Sequence, residues 1–320
     1  MTEQKEINAK ASIQDDEIDL KELLSVIWHG KDLILRISVS VAIISIIVSI
    51  FLTNYYQSES LLAIREDRQS ESILSQYSGV ASLVGINLTG SGDNRAIKAI
   101  ELIKSRKFVS HLLTFEDILP SIMAPYSFEK ETGVLTFDKS IFDSNNKKWI
   151  RKQNGNHPVE PSYLEAHEVY LNNIMSISYD NLTGFISISV EHISPIFARD
   201  FLELIIREAN TLLRESDIEE SSQALKFLKS ELSKTPLVVI QESINTLIEA
   251  QLEVQMLAQI NEDYVLVKIE PPFIPEEISK PSRFLIIALS TIMGLMLSIL
   301  IVLFQYYMMP STSVSQDDKQ

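Results

Sequence analysis

The chain has 320 residues, 45% of them hydrophobic and 22% charged, enough for one or two domains. A net charge of −15 leaves no basic face for nucleic acid and argues against a polybasic lipid-binding segment. The absence of cysteine excludes disulfides, thiolate metal sites and cysteine nucleophiles, and fits an oxidising or a reducing compartment equally well.

Residues 1–20 are polar and acidic (Asp15, Asp16, Glu17, Asp19) and read as a loose tail. Ile18, Leu20, Leu23, Leu24, Ile27 and Trp28 then recur at helical spacing, which predicts a short amphipathic helix at a membrane surface. Leu33 to Thr53 is a first apolar crossing, with Lys31 and Arg36 at its start and Tyr55 and Tyr56 at its end. The tail before it is too long and too acidic for a signal peptide, and no small-residue cleavage site follows, so it reads as a retained anchor. Phe284 to Phe304 is a second crossing without an ionisable residue, preceded by Lys280 and Arg283 and followed by Gln305, Tyr306 and Tyr307. A buried helix of a soluble domain normally keeps a polar stripe, whereas this run carries no ionisable residue.

Two crossings put both tails on one side. Lys21, Lys31 and Arg36 stand before or at the start of the first, and no basic residue follows until Arg65. The positive-inside rule therefore makes the N-terminus cytoplasmic. The second crossing points the other way, with Lys280 and Arg283 on the loop side and only Lys319 in the tail. The first helix usually sets orientation, and long loops translocate largely regardless of charge. The central domain, 54–283, is accordingly read as exported.

Within it, Ser58–Arg65 predicts a strand, and the early part reads as mixed α/β. Ser78–Gly92 contains Gly79, Gly85, Gly90 and Gly92, but no G-x-x-x-x-G-K-[ST] pattern, so a flexible turn or packed loop is the reading rather than a phosphate cradle. Asn94–Leu113 predicts one helix from Ile97, Ile100, Leu102, Ile103, Phe108, Leu112 and Leu113. Residues 120–160, rich in Asn, Lys and Pro, read as an irregular insertion. Ile174–Asp180 and Gly184–Glu191 predict a β-hairpin turning through Asn181-Leu182-Thr183-Gly184. Ser194 as N-cap and Pro195 at the first position open a helix that meets no further Gly or Pro until about Thr235. That is roughly 60 Å of helix. Thr235-Pro236 can cap a second helix, apolar at Ile240, Ile244, Leu247, Ile248, Leu252, Met256 and Ile260. Two long consecutive helices imply a projecting antiparallel hairpin whose apolar stripe meets neighbouring subunits. Charges such as Arg214, Glu215, Asp217, Glu219 and Glu220 read mostly as a solvated face. Tyr264–Glu270 predicts a strand rejoining the base, and the prolines of 271–281 lead into the second crossing.

With these residues, the chain resembles the polysaccharide co-polymerases, specifically the Wzz-type chain-length determinants. The resemblance runs over nearly the whole chain. It is carried by Ile18-Asp19-Leu20-Lys21-Glu22-Leu23, Ser105-Arg106-Lys107-Phe108, Thr183-Gly184, Ser194-Pro195 and Tyr264 to Pro272. Its most specific part is the proline-rich segment, in the family roughly P-x-x-P, then Ser-Pro-Lys, then glycines within the helix. Here Pro272 and Pro275 precede Ser279-Lys280-Pro281, an inverted order, and Gly294 is the one glycine. The prolines hold the juxtamembrane chain extended; a plain linker is the alternative for any one of them.

The resemblance implies an α+β, membrane-anchored fold: two transmembrane helices flanking an exported α/β base with a long protruding antiparallel helical hairpin. The segments implied are a cytoplasmic tail (1–32), a crossing (33–53), a periplasmic domain (54–283), a second crossing (284–304) and a tail (305–320). Within the periplasmic domain the base is 54–193 with 263–283, and the hairpin is 194–262. It further implies a homo-oligomeric ring in the bacterial inner membrane that sets the modal length of O-antigen of lipopolysaccharide. Its partners would be a Wzy-type polymerase, the nascent polysaccharide and the lipid bilayer. Neither catalysis nor a cofactor is implied. His29, His111, His157, His167 and His192 are scattered, without H-E-x-x-H or another catalytic signature, and Glu165 and Glu168 beside His167 read as a surface helix turn. A membrane-anchored periplasmic adaptor of an export system is the alternative. Such adaptors usually need one crossing.

Overall fold

The structure is a computed structural model that describes residues 20–65, 92–153, 155, 158–234 and 236–308. The acidic tail, the glycines 79, 85 and 90, His157, Thr235 and Lys319 lie outside the described residues. The chain divides into two compact units, one of residues 54–279 and one formed from the two ends of the chain.

The unit formed by the ends contains α1 (Leu20–His29), α2 (Lys31–Phe51) and a long C-terminal helix, Arg283–Met308. α2 and the C-terminal helix are both long and apolar enough to cross a membrane, with mean hydropathies of 2.5 and 2.7. Their large aliphatic side chains face outward, Ile43, Ile44, Ile47, Leu285, Met293 and Leu300 among them. That is the inverse of a soluble helix pair and suits a hydrocarbon surround. The amphipathic helix expected before the first crossing is α1, with Leu24 and Trp28 exposed and Val26 buried.

The other unit is built on a four-stranded antiparallel sheet. Its strands are β1 (Tyr56–Ile64), β6 (Met175–Tyr179), β7 (Phe185–His192) and β8 (Leu266–Glu270), in the order β6-β7-β1-β8. β6 and β7 form the expected hairpin, turning at Gly184, whose φ of +74° an L side chain rarely adopts. β1 and β7 pair so that Leu62 opposes Ile186, Ser60 Ile188, Ser58 Val190 and Tyr56 His192. All eight are buried on one face of the sheet.

The segment expected as one helix over 94–113 is two, α3 (Gly92–Lys104) and α4 (Arg106–Leu112). Ser105 breaks it: its side chain accepts from the Phe108 N–H as an N-cap, a competition that helical periodicity does not register. The insertion expected as irregular holds α5 (Ile118–Met123) and two small ladders. These pair β2 (Pro125–Glu129) with β3 (Val134–Phe137), and β4 (Phe142–Asp143) with β5 (Lys148–Trp149). α6 (Tyr163–Val169) continues into a π turn over Tyr170–Ile174, which leads into β6.

α7 (Pro195–Lys234) is the long helix, and its capping is as expected, with the Phe197 N–H donating to Ser194 Oγ. Its first half lies on the sheet, burying Ala198, Phe201, Leu202, Ile205, Ile206, Ala209 and Leu213. Phe201 stacks on Phe197 at 5.2 Å and meets Tyr170 edge-on at 6.2 Å. Its second half buries one stripe, Ser221, Leu225 and Leu228, against α8 (Val238–Ile260). A second, small core forms there from Leu228, Ile244 and Leu247. α8 starts after Leu237 with no side-chain cap, later than a Thr235-Pro236 cap would start it. The C-terminal membrane helix is α9 (Arg283–Met308).

Candidate functional site

The proline segment leaves β8 at Glu270 and stays alongside β1. Pro271, Pro272 and Pro275 have no N–H and cannot continue the ladder that β8 begins. Serines of β1 replace it. Ser60 Oγ donates to the Glu270 carbonyl at 2.6 Å, and Ser58 Oγ to the Phe273 carbonyl at 2.7 Å. Backbone pairing resumes where the Ser279 N–H donates to the Tyr55 carbonyl at 2.8 Å, with Ser279 Oγ 3.2 Å from Gln57 Oε1. Pro275 is buried and Pro272 half-buried. The result is a sheet edge held in place yet short of donors, which keeps another strand from adding to it.

Pro281 and Gly294 belong to the other unit. Pro281 follows a cis peptide bond at Lys280. Gly294 sits where α9 meets α2, and a Cβ there would lie 2.9 Å from Val41. Ser298, one turn on, is fully buried, and Ser45 and Ser49 of α2 are buried as well. Ser298 and Ser45 bond carbonyls of their own helices, at Leu295 and Ala42, so the contact is small-residue packing rather than cross-helix hydrogen bonding. The serines extend the small-residue stripe that Gly294 begins.

At the root of the hairpin three residues of α7 hold the returning chain. Asn210, buried among aliphatic neighbours, accepts from the Val265 and Leu266 N–H groups and donates to the Leu266 carbonyl, all within 2.9 Å. It satisfies three main-chain groups at the start of β8. Asp217, read from sequence as part of a solvated face, gathers Arg95 at 3.3 Å, Lys98 at 3.2 Å and the Tyr264 hydroxyl at 2.8 Å. Burial, then the Asp217 charge, raises the Tyr264 pKa, so the phenol remains a donor to Asp217. Arg214 adds donors to the Asn261 and Glu262 carbonyls at 2.8 and 2.7 Å. Three polar side chains along α7 thus read the same short return.

The described histidines are spread through the chain and each has structural work. His192 is buried; its Nε2–H donates to the Ser121 carbonyl and its Nδ1 accepts the Ser194 N–H, a neutral tautomer fixed by both partners. Burial pulls its pKa down to about 4. His167 donates to the Lys104 carbonyl, His111 to the Glu208 carboxylate, and His29 bonds the Ser25 carbonyl. Glu165, beside His167, pairs with Arg151. Among the described residues no group of three or more His, Asp or Glu could hold a metal.

Among the described residues, the hairpin exposes large apolar side chains on α8 and at its tip. Leu252, Met256 and Ile260 form an exposed stripe on α8, four residues apart and turned away from α7. At the tip, Leu237, Val238, Val239 and Ile240 are also exposed.

Residues 16–114 match the family described as chain length determinant protein. Among solved structures, the chain is similar to a full-length bacterial polysaccharide co-polymerase. The two are 11% identical, with 92% of this chain and 98% of that one covered, at a TM-score of 0.41. It is also similar to a fragment of WzzB, a polysaccharide co-polymerase from Salmonella Typhimurium. There the identity is 13%, with 71% and 100% covered and a TM-score of 0.28. No curated protein sequence matches.

Proposed function

We propose that this chain, whose residues 16–114 match the chain length determinant family, sets the modal length of a bacterial surface polysaccharide. That match is the observation that carries the reading. It spans the first crossing, the central strand β1 and helices α3 and α4, so it covers pieces of both units. In this reading the polysaccharide is the O-antigen of lipopolysaccharide. The chain sits in the inner membrane with both ends cytoplasmic, the unit 54–279 is periplasmic, and it acts beside a Wzy-type polymerase without catalysing a reaction itself.

Copies of the chain assemble into a ring. Support comes from the α8 stripe, since Leu252, Met256 and Ile260 expose apolar area that a lone chain leaves to water. Burying such side chains stabilises by ~1.5–3 kcal/mol each when complete. The proline segment, with Pro272, Pro275, Ser279, Pro281 and Gly294, then sets how each copy's sheet edge is joined to its second crossing. Ring geometry, rather than a reactive side chain, governs how long the growing polymer stays engaged.

The test is a gel of surface polysaccharide from a strain lacking the gene, with and without its restoration. Loss of a defined length cluster while polymer is still made, and its return on restoration, is the expected result. Unchanged lengths would sink the proposal in favour of an adaptor role. Loss of all polymer would indicate an essential export component.

A further inference from the structure

In the unit formed by the chain ends, a cleft of about 570 Å³ lies between α1 and the last turns of α9. That is the size of a small-molecule site. Its floor is apolar, formed by Val26, Gly30 and Val302. Gly30 permits the close approach, since a Cβ there would lie 2.5 Å from Val302 Cγ1. Ser25, His29 and Gln305 supply polar walls. His29 Nδ1–H donates to the Ser25 carbonyl at 2.8 Å, which leaves Nε2 of the neutral ring as an acceptor. Gln305 adds an amide that both donates and accepts. Among the described residues that line the cleft, none is Lys, Arg, Asp or Glu. Lys31, next to Gly30, instead holds its ammonium 5.6 Å over the Trp28 ring.

We infer that this cleft binds the headgroup of an aminophospholipid, with the chemistry of phosphatidylethanolamine. The lipid ammonium donates to His29 Nε2 and the Gln305 side-chain oxygen. The phosphodiester accepts from the Ser25 hydroxyl and the Gln305 amide. Four observations select this occupant. Trp28, Tyr306 and Tyr307 are exposed beside the cleft, as aromatic residues are at headgroup level. Walls without a full charge suit a headgroup of zero net charge, whereas an anionic one would bring a charge that nothing there pairs. An acceptor at Nε2 calls for an N–H, which a choline headgroup lacks. Finally, α9 ends at Met308, within a turn of Gln305, and its last turn carries no basic residue. The unpaired carbonyls and negative dipole end of that turn favour a cation. The inference rests on α2 and α9 crossing a membrane, and not on the role in length control.

The test reconstitutes the full chain into nanodiscs of phosphatidylethanolamine, phosphatidylglycerol and phosphatidylcholine in equal amounts, above neutral pH so that His29 is uncharged. Recovery in the nanodisc fraction reports insertion separately from headgroup choice. Retained lipids are then read by native mass spectrometry after mild detergent extraction. Phosphatidylethanolamine should be retained about fivefold over either other lipid, the effect of one or two hydrogen bonds. Ser25→Trp fills the cleft from an exposed position and should abolish the preference. His29→Leu should lower phosphatidylethanolamine retention about fivefold, and His29→Gln, which keeps an acceptor, should recover most of it. All variants should enter nanodiscs as the parent does. Equal retention of the three lipids overturns the inference, and so does a Ser25→Trp variant that retains phosphatidylethanolamine as well as the parent. A preference for phosphatidylglycerol also overturns it and would assign the cleft to an anionic headgroup.

Discussion

The sheet-bound half of α7 and its hairpin half are one unbroken helix in two environments. Along the sheet, side chains on several sides of the helix are buried, Leu204, Ile205, Ile206, Ala209 and Asn210 in succession. Beyond Asp217 one stripe remains, and the upper core is small: Leu228, Ile244 and Leu247, with Leu232 and Ile248 packed against them. A helix does not need a partner on every side to persist, but it needs one face covered. The lower half therefore carries the stability of the unit, and the upper half leaves surface available for contact with something else.

The largest effect expected from this contrast is at Phe201. Phe201→Ala removes a fully buried ring that touches both Phe197 and Tyr170, and should cost about 3–5 kcal/mol. Thermal unfolding of the detergent-solubilised chain measures it, and an effect equal to that of a hairpin substitution would erase the distinction between halves.

Acid sharpens the same contrast. His192 is held neutral with a pKa near 4, below the ordinary value of 6.5. The unfolded chain therefore binds a proton across that window while the folded chain does not, so stability falls as pH drops from about 6.5 to 4. The loss amounts to roughly 2–3 kcal/mol. His192→Gln should flatten that slope, read as Tm against pH. Asp138, Asp143 and Asp180, whose pKa values are lowered by hydrogen bonds, lose their contribution only below the ordinary carboxylate range.

Asn210→Leu tests the joint between the halves. It keeps the branched shape but leaves the Val265 and Leu266 N–H groups and the Leu266 carbonyl short of a partner, at a cost of about 2 kcal/mol. Hydrogen exchange at residues 264–268 should rise more than exchange in β7. Equal change in both strands would show that Asn210 supports the sheet generally instead of the return strand.

The smallest expected effect is Leu228→Ala, about 2 kcal/mol or less, because the open side of the hairpin can close over the gap. It should speed proteolysis near the tip and leave the midpoint of the base transition unchanged. A shift of the base midpoint as large as that of Phe201→Ala would mean that the two halves unfold as one.

Much of this molecule was legible from sequence because the determining interactions are local. The two crossings follow from uninterrupted apolar runs, the β6–β7 turn from Thr183-Gly184, and the start of α7 from Ser194-Pro195. Capping, turn chemistry and hydropathy act over a few residues and leave their mark in order along the chain. The length of α7 followed for the same reason, since nothing between Pro195 and Lys234 can stop a helix.

Other features were decided only by the fold. Ser58 and Ser60 look like the polar face of β1, yet they face inward, because the carbonyls of Glu270 and Phe273, some 210 residues away, lack donors once prolines occupy the edge. Asn210 appears as a blemish in the apolar stripe until β8 returns beside it. Asp217 looks like one charge among many on a solvated helix until Arg95, Lys98 and Tyr264 converge on it. The serines at 45, 49 and 298 show their role only when two apolar helices pack together. For Ser58, Ser60, Asn210 and Asp217 the partner lies far away in sequence, and periodicity records which side of an element is polar without recording what meets it. Composition and local chemistry determined which elements form; tertiary structure determined which polar groups stand inside, because burying a donor or acceptor is costly unless a partner meets it.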